Sequence, residues 1–367
     1  MKFTFNEEQV ALSDATRDFF SSKTSFEQTR KSFSSLCGFD EALWKSSCSE
    51  LGLAGLLVGD ELGGFGASDV EAGVVLSQHG YYLAATPLRA HWNAVMVLDE
   101  CLQGDARQAL LSSLVDGELL AGVVFDDLDH TINFTDDKKT LISGRFARVP
   151  FGASLDVLYF QIEVDGTICL ARLNCGTADV SQTLTPSIDQ TQILGAIECT
   201  NSPLEIVAKN IGEPFARAKA RATVAACNEM VGTMKAILNM AVQYSKDRNQ
   251  FGRPIGSFQA IKHKLADMLL ETESSESIAL YGSWLASMGK DFFNEDLEDD
   301  IEHIASMAKY YCSKALSNSA GENLQIHGGI GFTMESDVQL YFKRAAFMNA
   351  YLGMPSEHSK VLASKIF

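Results

Sequence analysis

The sequence has no apolar run of eighteen or more residues, so no membrane-spanning helix is expected. Its first twenty residues, MKFTFNEEQVALSDATRDFF, show no basic region followed by an apolar core and a small-residue cleavage site. They read as a first mature helix, and a cytoplasmic location is expected. The eight cysteines form no CxxC pair and no even framework, which points to buried or free thiols and away from disulfides or zinc. The seven histidines show no HxxxH or histidine–carboxylate spacing, so no metal site is expected. Positive charge is scarce: 30 Lys and Arg against 47 Asp and Glu leave a net charge of −17. That excess repels a phosphate backbone and counts against nucleic acid as a partner. It leaves an anionic cofactor open, because the charge at a pocket matters more than the sum.

What the sequence does contain is a change of period along the chain. Up to about residue 118, apolar residues recur every three or four positions, as in Val10, Leu12 and Phe19, then Leu43, Trp44, Leu51 and Leu53. The stretch VGDELGGFGAS (58–68) interrupts this as a loop, with glycines 63, 64 and 66 allowing positive φ. Between about 119 and 208 the segments become short, rich in β-branched and aromatic residues, and separated by turn signals such as TDDKK and VDG. From about 209 the helical period returns over 215–247, 257–289, 298–326 and 336–351. The expected class is α+β. It has an N-terminal helical domain (1–118), a middle antiparallel β domain (119–208) and a C-terminal four-helix bundle (209–367).

Two stretches of the last segment carry residues suited to a ligand. In KDRNQFGRPIGSFQAIKHKLADM (246–268), Phe251-Gly252-Arg253-Pro254 cannot continue a helix. Ser257 is the expected cap of the helix that follows. The turn presents the planar donor fork of Arg248, the ring of Phe251 and a helix N-terminus, a set that suits a phosphorylated aromatic ligand such as a dinucleotide. An ordinary interhelix turn with a packed Phe is the plainer reading. In ENLQIHGGIGFTMESDVQLYFKRA (322–345), Gly328, Gly329 and Gly331 follow a helix expected to end at Gln325. Such a turn lets the backbone approach a phosphate or sugar, and is equally an ordinary helix C-cap.

Taken together, the two stretches resemble the C-terminal domain of flavin-dependent acyl-CoA dehydrogenases. The segment ELGLAGLLVGDELGGFGAS resembles that family's N-terminal domain, and SGRFARVPFGASLDVLYF its middle domain. The resemblance implies an acyl-CoA dehydrogenase fold and FAD as cofactor. Arg248, Phe251 and Gln259, and Gln325, Gly328 and Gly329 of the glycine turn, would contact FAD, the latter on a neighbouring subunit. It further implies an acyl-CoA thioester as substrate. A base removes the α proton while the β hydrogen leaves as hydride to the flavin, giving the 2-enoyl-CoA. A tetramer and an electron-transfer flavoprotein as acceptor are expected with it.

That chemistry needs a carboxylate against the substrate's Cα in a dry pocket. The family's usual site, a Y-E-G-T context near the C-terminus, matches NAYLGMPSEHSKV here, with Leu352 in the place of the Glu. The family's other site falls near Ala222. Neither holds a carboxylate. The expected base is therefore Glu229, two turns after Ala222 on a face otherwise made of Ala222, Ala225, Ala226, Gly232, Thr233 and Ala236. Such a nearly all-small face would let something bulky come close. The competing reading is a solvated or ion-paired Glu on a helix surface. The same helix resembles a heterotetrameric branch of the family acting on steroid side-chain or other bulky acyl-CoAs. The middle domain lacks the family's T-E-P-x-x-G-S-D signature, which keeps an alternative function open: a non-catalytic partner that completes FAD binding in a paralogous chain. A use of flavin on nitroalkanes or alkylated DNA is a third reading, and the net charge opposes its DNA form. His263 and His327 are expected to serve packing and turn geometry. Asp267 is expected to pair with an Arg, and the acidic run 293–303 to form a solvated loop and helix start.

Overall fold

The computed structural model describes residues 5–33, 37–125, 130–288 and 300–366. Six helices come first: α1 (Glu7–Lys23), α2 (Phe26–Ser32), α3 (Glu41–Leu51), α4 (Asp69–Tyr81), α5 (Leu88–Cys101) and α6 (Gly104–Ser112). Eight strands follow: β1 (Ala121–Val124), β2 (His130–Phe134), β3 (Leu141–Pro150), β4 (Val157–Val164), β5 (Thr167–Asn174), β6 (Val180–Thr185), β7 (Leu194–Pro203) and β8 (Glu205–Lys209). The chain then runs through the long α7 (Gly212–Asp247), the short strands β9 (Asn249–Gln250) and β10 (Arg253–Pro254), and α8 (Gln259–Ser287), α9 (Ile301–His327), α10 (Val338–Ala350) and α11 (Pro355–Ile366). The helical, β, helical order expected from the periodicity is present. The C-terminal part holds a fifth helix, α11, beyond the four expected. Of the acidic run 293–303, residues 293–299 lie outside the described residues. Its end starts α9, with Asp300 accepting from the backbone N–H of His303 at 2.7 Å.

The chain forms two compact units. One contains residues 27–68 and 85–222, the other residues 1–26, 69–84 and 223–367. In the first, two four-stranded sheets run in the orders β1-β4-β5-β8 and β2-β3-β7-β6. Phe146 of β3 and Phe160 of β4 meet between them, ring centroids 4.8 Å apart. The VDG signal is a two-residue hairpin turn: Val164 pairs with Thr167 across Asp165 (φ 50°) and Gly166 (φ 77°). Positive φ at both positions matches the right-handed twist of the flanking strands. The sheets are not wholly antiparallel, because β1 lies parallel to β4. The intervening β2 and β3 belong to the other sheet, so the chain returns to β1 by a crossover, and no hairpin can join the pair.

The helices of this unit are held by aromatic side chains with polar ends. Trp44 donates to the carbonyl of Gly117 at 3.1 Å and Trp92 to that of Leu53 at 2.7 Å. Between them His91 is fully buried on α5. Its Nε2 lies 2.9 Å from the carbonyl of Leu114, so that nitrogen carries the proton, and Nδ1 has no acceptor among the described residues. A second proton would sit on a buried N–H with nothing to receive it, and burial pushes the imidazole down to about 4.

In the other unit the small residues of α7 face α4. A side chain on Gly232 would lie 1.7 Å from the carbonyl oxygen of Ser77, and one on Gly80 would lie 2.1 Å from that of Glu229. Gly73 likewise faces Asn228. The stripe of small residues lets two helix backbones touch. The heptad-spaced apolar seam of α7 is buried at Val224, Cys227, Val231, Met234 and Ala241 and half-buried at Leu238. None of the helices among the described residues is long and apolar enough to cross a membrane.

His91 makes stability depend on pH. The unfolded imidazole titrates near 6.5 and the folded one near 4. In that window the unfolded chain binds more protons, so acidification through it lowers stability, by about 3 kcal/mol from this residue. Urea midpoints of wild type and His91→Gln measured from pH 7 to pH 4 should diverge, with the variant showing the shallower dependence. Parallel curves would contradict this role.

Candidate active site

Three helix ends of the second unit converge. At the end of α7, Tyr244 stacks on His327 of α9, with ring centroids 4.1 Å apart and planes 25° from parallel. At the start of α8, Lys264 bonds Glu322 of α9. The end of α7, the start of α8 and the end of α9 thus form one surface, and the two sequence stretches, some eighty residues apart, meet there.

The segment after α7 is a tight hairpin. Gln250 pairs with Arg253 across Phe251 (φ 52°) and Gly252 (φ 78°), again with positive φ at both turn positions. The turn holds Phe251 out, 91% exposed. Arg248 is exposed, and its guanidinium makes no ion pair with any described residue. Arg253 lies over the ring of Phe258, 4.1 Å from its centroid. Ser257 does not cap α8. It belongs to a 3-10 turn, the cap position is Phe258, and no side chain bonds the helix start. The first backbone donors of α8 are left without a side-chain acceptor, and Gln259 is exposed beside them. On α9 the helix continues two residues past Gln325, to His327. Gln325 is exposed, and Gly328 (φ 63°) turns the chain. A side chain at Gly328 or Gly329 would meet nothing within 4 Å, so these glycines face open space with bare backbone. Ile330, Phe332 and Met334 continue the turn as exposed apolar residues.

Glu229 is elsewhere in the same unit. Its side chain is 0% exposed, as is that of Arg344 on α10, whose Nη1 donates to Oε1 at 2.8 Å. Nδ1 of the buried His79 on α4 is 3.4 Å from the same oxygen. The expectation of a carboxylate on an open, small-residue face is corrected: α4 fills that face, and Glu229 is ion-paired inside the core. Leu352 and Ala222 are buried as well. Leu352 keeps a left-handed backbone (φ 56°), and its carbonyl lies 2.9 Å from Nε2 of His358. Beneath this turn the fully buried Lys309 donates to the carbonyls of Asn349 (3.2 Å) and Gly353 (2.9 Å) and to Oγ of Ser313 (3.0 Å). His263 and Asp267 are exposed on α8, and Asp267 has no ion-pair partner among the described residues.

Residues 6–118 match the acyl-CoA dehydrogenase N-terminal domain and residues 218–365 its C-terminal domain. Acyl-CoA dehydrogenase IpdE2 of Mycolicibacterium smegmatis is 30% identical over 362 residues, covering 99% of this chain and 100% of that protein. This chain belongs to the acyl-CoA dehydrogenase family. Its fold is shared with the ChsE4–ChsE5 complex of Mycobacterium tuberculosis (TM-score 0.88, 21% identity, 100% of this chain and 99% of that one). It is shared too with a variant of the Tcur3481–Tcur3483 steroid ACAD (TM-score 0.86, 23% identity, 98% of each chain).

Acyl-CoA dehydrogenases are FAD-dependent oxidoreductases acting on CH–CH bonds, and the residues here fit that cofactor. An uncommitted guanidinium and an uncapped helix start suit a pyrophosphate. Two exposed carboxamides suit ribose or ring edges, and an exposed Phe offers a stacking face. Glycine backbone without Cβ allows close approach. The sequence singled out these residues, and the structure brings them to one surface. Sequence reasoning missed Tyr244, which reads only as one more helical aromatic, and Lys309, whose burial no local pattern announces. The spacing of Gly73 and Gly80, two turns apart on α4, was the available sign that α7's small face had a protein neighbour.

Replacing Glu229 by Gln leaves the Arg344 charge buried without its counter-ion. The unfolding free energy of this unit should fall by about 3–5 kcal/mol, read as the shift of its urea transition. A shift below about 0.5 kcal/mol, as for an ordinary surface site, would show that the pair is not a structural one.

Proposed function

We propose that this chain is a subunit of an oligomeric acyl-CoA dehydrogenase in which Arg248, Phe251, Gln259, Gln325, Gly328 and Gly329 hold FAD at a boundary with a neighbouring subunit. The observation that carries this is the convergence of uncommitted donors, an exposed ring and open glycine backbone on one surface. FAD, when bound, would supply the hydride acceptor for the β hydrogen of the acyl group. The chain's own residues bind and orient that cofactor and leave its reactive end to a pocket completed in the assembly. The substrate class is a bulky acyl-CoA of the steroid side-chain type, a reading supported by the resemblance of the α7 helix and by the steroid ACAD named above. An electron-transfer flavoprotein would receive the electrons.

A second reading has its own observation. No carboxylate stands at 222 or 352, and Glu229 is committed to Arg344. On that reading the chain completes the flavin site of a paralogous subunit, and the partner supplies the base. The ChsE4–ChsE5 structure, alike in fold, is itself a complex.

Both readings require the clamp. Arg248→Ala and Gln325→Ala should each weaken FAD binding by about tenfold or more, roughly 1.4 kcal/mol, in the assembled protein and without change of fold. Anaerobic addition of a steroid side-chain acyl-CoA should bleach the flavin. Bleaching by this chain alone supports the first reading, and bleaching only after a paralogous subunit is added supports the second. Failure to bind FAD in either form would overturn both.

A further inference from the structure

Resting on the clamp reading above, we infer that Tyr244 and His327 are the positioning pair that sets the hairpin and the glycine turn in register for a dinucleotide. His327 is the last residue of α9, and three contacts fix it. Its ring stacks on Tyr244 at 4.1 Å. Its Nδ1 donates to the carbonyl of Asn323 at 2.9 Å, since a carbonyl only accepts. Its own carbonyl accepts from the Tyr244 hydroxyl at 3.3 Å. Its Cβ would be 3.1 Å from a side chain on Gly331, which folds the glycine turn back over it.

Tyr244 is tied to the hairpin in the same way. Its carbonyl accepts from the backbone N–H of Arg248 at 2.9 Å, and the carbonyl of Arg248 accepts from Ile255 at 2.8 Å across the hairpin. The stack therefore links the residue that starts the hairpin segment to the residue that starts the glycine turn. Neither ring is needed to close a helix, since α7 and α9 both have their backbone bonds without them. Both ligand-facing segments are exposed and built on positive-φ turns, and beside the stack their helices are tied by Lys264 to Glu322 and by Asn323 to the sulfur of Met240. Partial burial pushes the His327 imidazole down, which keeps the ring neutral in the stack at neutral pH. A misplacement of one segment relative to the other costs affinity because a single rigid ligand must satisfy both.

The test is the FAD dissociation constant of the apo-assembly, titrated by flavin fluorescence beside a thermal melt without flavin. His327→Ala should raise the constant about tenfold while the flavin-free melt stays near wild type. His327→Phe, which keeps a stacking ring, should restore affinity to within about threefold, and Tyr244→Phe should stay within the same range. Tyr244→Leu should behave as His327→Ala does, and the double variant should lose little more than either alone. Wild-type affinity in His327→Ala, with affinity lost in Arg248→Ala, overturns the positioning role alone. Unchanged affinity in Arg248→Ala overturns the clamp reading and this inference with it. A melt that falls with unchanged affinity would assign the pair to stability only and overturn the inference.

Discussion

The second unit is organised around the contact of α4 with α7. Gly73, Gly80 and Gly232 let the two backbones touch, and at that contact Glu229 is ion-paired to Arg344 of α10 beside His79 of α4. A buried carboxylate and guanidinium are costly to desolvate, and their mutual attraction offsets that cost only in good geometry. The pair therefore fixes register more than it adds stability: three helices must be placed within a fraction of an ångström for the bond to form. Once α7 and α10 are set, so are the elements at their ends. These are the hairpin after α7 and the turn at Leu352, which Lys309 holds from below.

The division of labour within this unit follows from burial. Charges that face the interior are committed to partners: Glu229 to Arg344, and Lys309 to two carbonyls and a hydroxyl. At the surface where α7, α8 and α9 end, the opposite holds. Arg248, Gln259 and Gln325 are exposed, and the glycine backbone at 328 and 329 faces open space. A protein that leaves a guanidinium, two carboxamides and an aromatic ring unused beside an uncapped helix start keeps them for something that arrives from outside. FAD, the cofactor of acyl-CoA dehydrogenases, is the proposed occupant.

Much of this was legible in the sequence. The change from helical to alternating period and back located the β region, and the boundaries of α7 to α10 fall close to the apolar runs. The hairpin at Phe251 and the turn at Gly328 were legible because Gly and Pro state their backbone demands locally. The ion pair of Glu229 was not. A carboxylate on a small-residue face reads the same whether a ligand or a neighbouring helix occupies that face, and Arg344 lies 115 residues away. The parallel pairing of β1 with β4 was equally hidden, because it depends on which sheet β2 and β3 join. The Tyr244–His327 stack joins residues 83 apart and has no signature in either local pattern.

On the proposed reading the buried Glu229–Arg344 pair is structural and the exposed clamp binds the cofactor. Replacing both Glu229 and Arg344 with Met tests it most directly, since removing a buried pair together for residues of similar volume is often neutral. The flavin-loaded assembly of this double variant should be reduced by acyl-CoA in the stopped-flow at a rate within about threefold of wild type. A folded, flavin-bearing double variant whose reduction is slowed by about a thousandfold or more would return Glu229 to the role of base and contradict a purely structural role for the pair.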